Sequence, residues 1–151
     1  MTDEEYIKYF LSDQKVINNQ PRIANIIFVE KEKEEMNTTI KTPTDYQKLA
    51  MRTCSIPYDK KKDMLMHAVL GLNSEAGEVA GIFQKEYQGH EVKLEHLMKE
   101  LGDCLWMIAE ACTALDISME DVMQLNIAKL RARFPEGFTA ERSLHRAEGD
   151  I

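Results

Sequence analysis

The sequence predicts an all-α fold: an antiparallel bundle of about four core helices, preceded by an N-terminal extension. Three observations predict it. Apolar residues recur at spacings of three and four over long windows from residue 44 onward. Capping residues and Gly or Pro stops punctuate those windows. No alternating strand pattern appears after residue 40.

Residues 1–18 read as an amphipathic helix with Tyr6, Ile7, Phe10 and Leu11 on one side, broken by Pro21. "IANIIFVE" (23–30) is β-prone and reads as a short strand, and "KEKEEMN" (31–37) as a charged linker. A purine-rich coding stretch before Met36 suggests an alternative start there, so 1–40 is assigned as an extension and 41–151 as the domain. "TDYQ" (44–47) predicts a capping box with Thr44 as N-cap and Gln47 reaching back, opening a helix to about Cys54. Pro57 and Asp59 mark a turn.

The second core helix is expected from about Lys60 to Tyr87, with Leu65, Ala68, Val69, Leu72, Ala76, Val79, Ala80 and Phe83 as its apolar stripe. Gly89 stops it. The third runs from about Lys93 to Leu115 on a stripe of Leu94, Leu97, Met98, Leu101, Leu105, Ile108 and Cys112. "SMED" (118–121) caps a fourth helix that reaches about Arg133 and ends at Pro135 and Gly137. The tail from 139 begins helical.

Composition bounds the function. The chain has 151 residues, one domain by length, and a formal net charge of −7, which argues against a nucleic-acid partner because phosphate backbones need a basic face. No apolar run reaches the ~18 residues that span a bilayer. Cys54, Cys104 and Cys112 are an odd count without framework spacing, which predicts reduced thiols in a cytoplasmic protein.

Two acidic pairs stand out. Glu75 and Glu78 lie three apart, so they share a helix face, and Gly77 stands between them. Glu100 and Asp103 repeat the pattern around Gly102 on the next helix. Glycine in a helix interior costs about 1 kcal/mol relative to alanine, so close approach of a neighbouring helix or a phosphate is the expected reason. Counted outward from a turn centred near residue 90, the pairs match in height to within about two residues, or about 3 Å. Four clustered carboxylates repel, so they either raise a pKa or need a counter-cation, and hard oxygen donors favour Mg²⁺ or Mn²⁺. No Glu has a His three residues later, which argues against a di-iron carboxylate bundle.

At these residues the sequence resembles the MazG-like, all-α nucleoside triphosphate pyrophosphohydrolases. "EAGE" (75–78) and "ELGD" (100–103) look like that family's E-x-x-E and E-x-x-D motifs, within "LGLNSEAGEVAG" and "MKELGDCLW". "NIAKLRARFPEGF" (126–138) is similar to a third family segment, and the likeness covers about Thr44 to Arg146. It implies hydrolysis of a (deoxy)nucleoside triphosphate to monophosphate and pyrophosphate, including house-cleaning of non-canonical nucleotides. It implies Mg²⁺ (or Mn²⁺) held by Glu75, Glu78, Glu100 and Asp103, and a homodimer or homotetramer whose chains complete each site. Glu78 is the expected general base. Lys129 and Arg133, four apart, match family positions that would meet the phosphates, and Asn126 lies one turn earlier. His67, two turns before Glu75, is a further substrate-binding candidate. Trp106 and Phe83 are expected in the core, and Phe134 and Phe138 against a neighbouring chain. The alternative is a helical oligomeric nucleotide-binding or regulatory module without turnover.

Overall fold

Thr42 caps the first described helix. In the computed structural model, which describes residues 39–145, its side chain accepts from Asp45 N while the Asp45 carboxylate accepts from Thr42 N, a complete capping box. Pro43 occupies the first helical position, where its missing N–H costs nothing. Helix α1 therefore spans Pro43–Ala50 and continues as one 3₁₀ turn, Met51–Thr53. The cap expected at Thr44 is corrected to Thr42. Gln47, expected to reach back to that cap, instead donates to Thr113 Oγ1 and Ile117 O and accepts from Met119 N.

Helix α2 (Lys61–Tyr87), α3 (Leu94–Ala114), α4 (Met119–Arg133) and α5 (Ala140–Leu144) follow. Gly89 and Gly137 carry positive φ, 93° and 95°, as their stop roles require. Ser118 caps α4 with Asp121 in a second capping box, and Thr139 caps α5. Among the described residues every regular element is helical, and no helix is long and apolar enough to cross a membrane. The expected helix over 1–18, strand over 23–30 and linker over 31–37 lie outside the described residues.

The α2–α3 pair positions the site. Lys61 meets Asp116; six residues on, His67 meets Glu110, six residues back. The two helices thus run in opposite directions in a fixed register. Small residues let them close. Ala68 is buried on α2, and a Cβ built on Gly71 would fall well inside contact with the Met107 thioether. A second cluster joins α1, α3 and the start of α4: Ala50, Ala109, Cys112 and Met119, with Tyr46, Met51, Trp106 and Ile108 against it.

The expected stripes need correction. On α2 the buried line is Met64, Ala68 and Ile82, whereas Val69 and Phe83 are exposed. On α3 it is Leu97, Ala109, Glu110, Cys112 and Ala114, whereas Met98, Leu101 and Leu105 are exposed. Both helices carry apolar residues on more than one face, and a single neighbour within the chain covers only one. Trp106 is part-buried as expected; Phe134 and Phe138 stack on each other at 5.3 Å.

Polar ties fix the junctions. Glu120 accepts from Thr44 N at 2.8 Å and from the Thr44 hydroxyl, joining the first turns of α1 and α4. Asp116 accepts from Lys61 Nζ and Tyr58 OH, and the Lys61 ammonium lies 3.5 Å from the Tyr58 ring centroid. The Thr44 hydroxyl holds the Glu120 carboxyl below its usual 4.5, and Lys61 and Tyr58 hold Asp116 below its usual 3.8. Asp45 and Asp121 are lowered by their cap partners Thr42 and Ser118. Because each folded value is depressed, the unfolded chain binds protons first as pH falls. The contribution to stability is full above the usual carboxylate values and disappears as pH drops through them. Thermal unfolding followed across pH should show a flat melting temperature near neutrality and a decline below about 4.5. Glu120→Gln should flatten part of that decline, and an unchanged slope in this variant would refute the assignment to Glu120.

Candidate metal and nucleotide site

The register of α2 on α3 decides which acids meet. Glu75 faces the gap between Glu100 and Asp103, and one carboxylate oxygen from each of the three lies within 4.8 Å of the others. Glu75 and Glu100 are half-buried and Asp103 is exposed. Glu78 is exposed and stands outside this group. It lies one turn nearer the loop, about 4.5 Å farther along the axis. The sequence count placed the turn centre near residue 90, whereas the observed pairings place it slightly earlier, which slides Glu75 into the middle of the opposite pair.

The donor set fits a hard divalent cation. Three carboxylates supply only oxygen, and no histidine or thiolate belongs to the group. Neighbouring side chains refine it. His96 Nε2 lies 2.9 Å from Glu100 Oε1, one turn away on the same helix. Tyr46 donates its hydroxyl to Gly102 O at 3.2 Å, which brings a phenol beside Asp103. Burial raises the Tyr46 phenol above its usual range and the Asp103 charge adds to the rise, so it stays a protonated donor.

The two glycines that flank the acids are not explained by a tight contact within the chain. A Cβ on Gly77 or Gly102 would meet nothing within 4 Å. The close approach between α2 and α3 occurs instead at Gly71, one turn before Glu75.

The other site candidates fall in two places. Asn126, Lys129 and Arg133 lie on α4, beyond the anchored first turn formed by Ser118, Met119 and Glu120. The contacts described for α4 are with α1 and α3. His67 lies on α2 and bonds Glu110, a residue that the sequence reading passed over. A lone glutamate within the apolar run "WMIAEACTAL" was the available signal. Glu110 is wholly buried and also accepts from the Cys54 thiol at 3.4 Å. Burial pushes that thiol up, and the Glu110 carboxylate adds to the rise. His96 and Tyr46 were likewise unforeseen, since only the fold brings them beside the acids.

The sequence pattern of the MazG nucleotide pyrophosphohydrolase domain matches residues 65–138, which include all four acids and the basic segment of α4. A similar protein is the "Gene 37 protein" of Mycobacterium phage L5, 32% identical over 78 residues, covering 48% of this chain and 68% of the phage protein. No solved structure gives a significant match. With the acids of "EAGE" and "ELGD" inside the matched span, the chain belongs to the MazG nucleotide pyrophosphohydrolase family.

Proposed function

We propose that the protein hydrolyses a (deoxy)nucleoside triphosphate to the monophosphate and pyrophosphate, with Mg²⁺ (or Mn²⁺) held by Glu75, Glu100 and Asp103. The observation that carries this reading is the convergence of those three carboxylates from two helices at one height. A bound divalent cation supplies charge neutralisation at the phosphate oxygens and activates water for attack. Glu78, exposed beside the group, completes the ligand set or takes the proton of the attacking water. The Tyr46 hydroxyl holds the Gly102 carbonyl and so steadies the α3 turn that carries Glu100 and Asp103.

Self-association belongs to the same proposal. Met98, Leu101 and Leu105 on α3 and Val122, Met123, Leu125, Ile127 and Leu130 on α4 are all exposed within one chain. Apolar surface of that extent favours burial against another copy. A homodimer or homotetramer would bring Asn126, Lys129 and Arg133 of one chain toward the acids of another, where their cations would meet the charge that develops on the leaving pyrophosphate. Residues 41–151 would form the catalytic domain, and the three unpaired thiols suit a reducing cytoplasm.

Pyrophosphate release from a panel of canonical and modified nucleotides, with and without Mg²⁺, tests the reading. Metal-dependent release from at least one nucleotide is expected. Glu78→Gln should abolish turnover while the helical CD spectrum persists. No release from any nucleotide would leave a binding or regulatory role in its place.

A further inference from the structure

Among the described residues, Glu100 is the one acid of the three whose carboxylate another side chain holds. His96 Nε2 lies 2.9 Å from Glu100 Oε1, one turn away on α3. The same helix carries a second pair at that spacing, Lys99 on Glu95 at 2.8 Å. The two pairs differ in kind. Lys99 and Glu95 are both well exposed and stand acid first, the order that suits the helix dipole. His96 and Glu100 stand in the reverse order, with the ring in the first turn, where positive charge meets the positive end of the helix. Helix stability therefore gives little reason for the second pair.

What the ring does is hold a carboxylate. The Glu100 side chain is only 17% exposed, whereas the His96 side chain is 52% exposed. An ionised carboxylate can only accept, so Nε2 is the donor whether the imidazole is neutral or charged. The bond takes rotamer freedom from Glu100 while one of its oxygens stays within 4.8 Å of oxygens of Glu75 and Asp103. The Tyr46 hydroxyl fixes the backbone at Gly102, and His96 fixes the side chain two residues before it.

Such a hold matters most to an ion that is strict about geometry. Mg²⁺ demands near-ideal octahedral oxygen ligation at short range, and Mn²⁺ takes similar oxygen sites, whereas Ca²⁺ accepts more ligands in looser arrangements. We propose that His96 is a positioning residue for the cation: it holds the Glu100 carboxylate toward Glu75 and Asp103, and so favours Mg²⁺ and Mn²⁺ over Ca²⁺. Hydrogen-bonded partners of ligating side chains commonly act in this way, by setting the orientation that the ion meets. This inference rests on the metal site proposed above.

Metal binding without nucleotide tests it. Mn²⁺ binding to the full chain is followed by the electron paramagnetic resonance of free Mn²⁺, and Mg²⁺ and Ca²⁺ are measured by displacement at a pH of about 8, where the acids are ionised. His96→Ala should weaken Mn²⁺ and Mg²⁺ about tenfold and Ca²⁺ less than about threefold. His96→Gln keeps an N–H donor one turn from Glu100 and should recover most of the loss. Alanine is the strongest helix former and His96 is half-exposed, so the metal-free variant should melt as the wild type does. Unchanged or tighter Mn²⁺ binding in His96→Ala overturns the inference, because the ring would then be idle or would compete with the ion. Equal losses for Mg²⁺ and Ca²⁺, no recovery in His96→Gln, or a metal-free melting temperature that falls by more than a few degrees would assign His96 to the fold and also overturn it. If the wild type holds Mn²⁺ and His96→Ala matches it, only this inference falls; if the wild type holds no Mn²⁺, the metal site proposed above falls with it.

Discussion

Glu75→Gln is expected to lower Mg²⁺-dependent turnover about 10³-fold, the scale of losing one preorganised electrostatic contact to the transition state. The same substitution should leave the metal-free protein no less stable, or raise its melting temperature by a few degrees. The two effects have one cause. Glu75 stands between Glu100 and Asp103 with carboxylate oxygens within 4.8 Å, and His96 Nε2 touches the Glu100 member at 2.9 Å. Without a cation these charges repel, by about 1 kcal/mol per pair at such range in a water-like environment. Glutamine keeps the shape and removes one charge, so the repulsion falls and a cation held as proposed would lose its central ligand. Differential scanning calorimetry with and without Mg²⁺ reads both consequences. The wild type should gain stability on adding Mg²⁺, and the variant should gain little. A variant that melts earlier without metal and retains turnover would refute a metal role for Glu75.

His67→Ala should be among the more damaging single substitutions to the fold, costing about 3 kcal/mol. Removing the imidazole leaves the Glu110 carboxylate, 0% exposed, with only the Cys54 thiol. A wholly buried acceptor that loses one of its two hydrogen-bond partners accounts for a cost of this size, and water can enter the vacated space because His67 is itself half-exposed. Pairing the change with Glu110→Leu should recover most of the loss, since the unpartnered charge is then gone. Urea unfolding of the wild type, both single variants and the double variant yields the coupling energy. Additive losses would mean that the two side chains do not stabilise each other.

Helix placement was largely legible in the sequence because caps and stops are local. Ser118, Gly89 and Gly137 act within a turn of where they stand. Thr42 was missed in favour of Thr44, although Pro43 between them is the better guide: proline prefers the first helical position, which makes the preceding threonine the cap. The acids were legible as pairs, but their register was not. A shift of about one and a half residues in the centre of the α2–α3 turn, which moves each facing partner by about three, decides that Glu75, rather than Glu78, is grouped with Glu100 and Asp103. Burial was the hardest to read. Periodicity identifies apolar faces but not which face finds a neighbour, so Val69, Phe83, Leu101 and Leu105 were assigned to a seam that one chain does not cover. Glu110 escaped because its meaning comes from His67 and Cys54, both more than 40 residues away in sequence.

Helix α4 is fastened at its N-terminal end. Met119 is buried and Glu120 is tied to Thr44, while residues 121–132 are exposed within the chain. From Met119 to Arg133 the helix is about 21 Å long. It therefore acts as a lever: a tilt of about 10° at the anchor carries its far end by about 4 Å, more than the length of a hydrogen bond. Lys129 rides on its outer turns, and phosphate chemistry would require precise aim of its cation. If it serves the site, its aim depends on whatever surface grips the outer turns of α4. On the proposed function, assembly and catalytic competence would then be a single event, and dilution would switch activity off by misalignment rather than by unfolding.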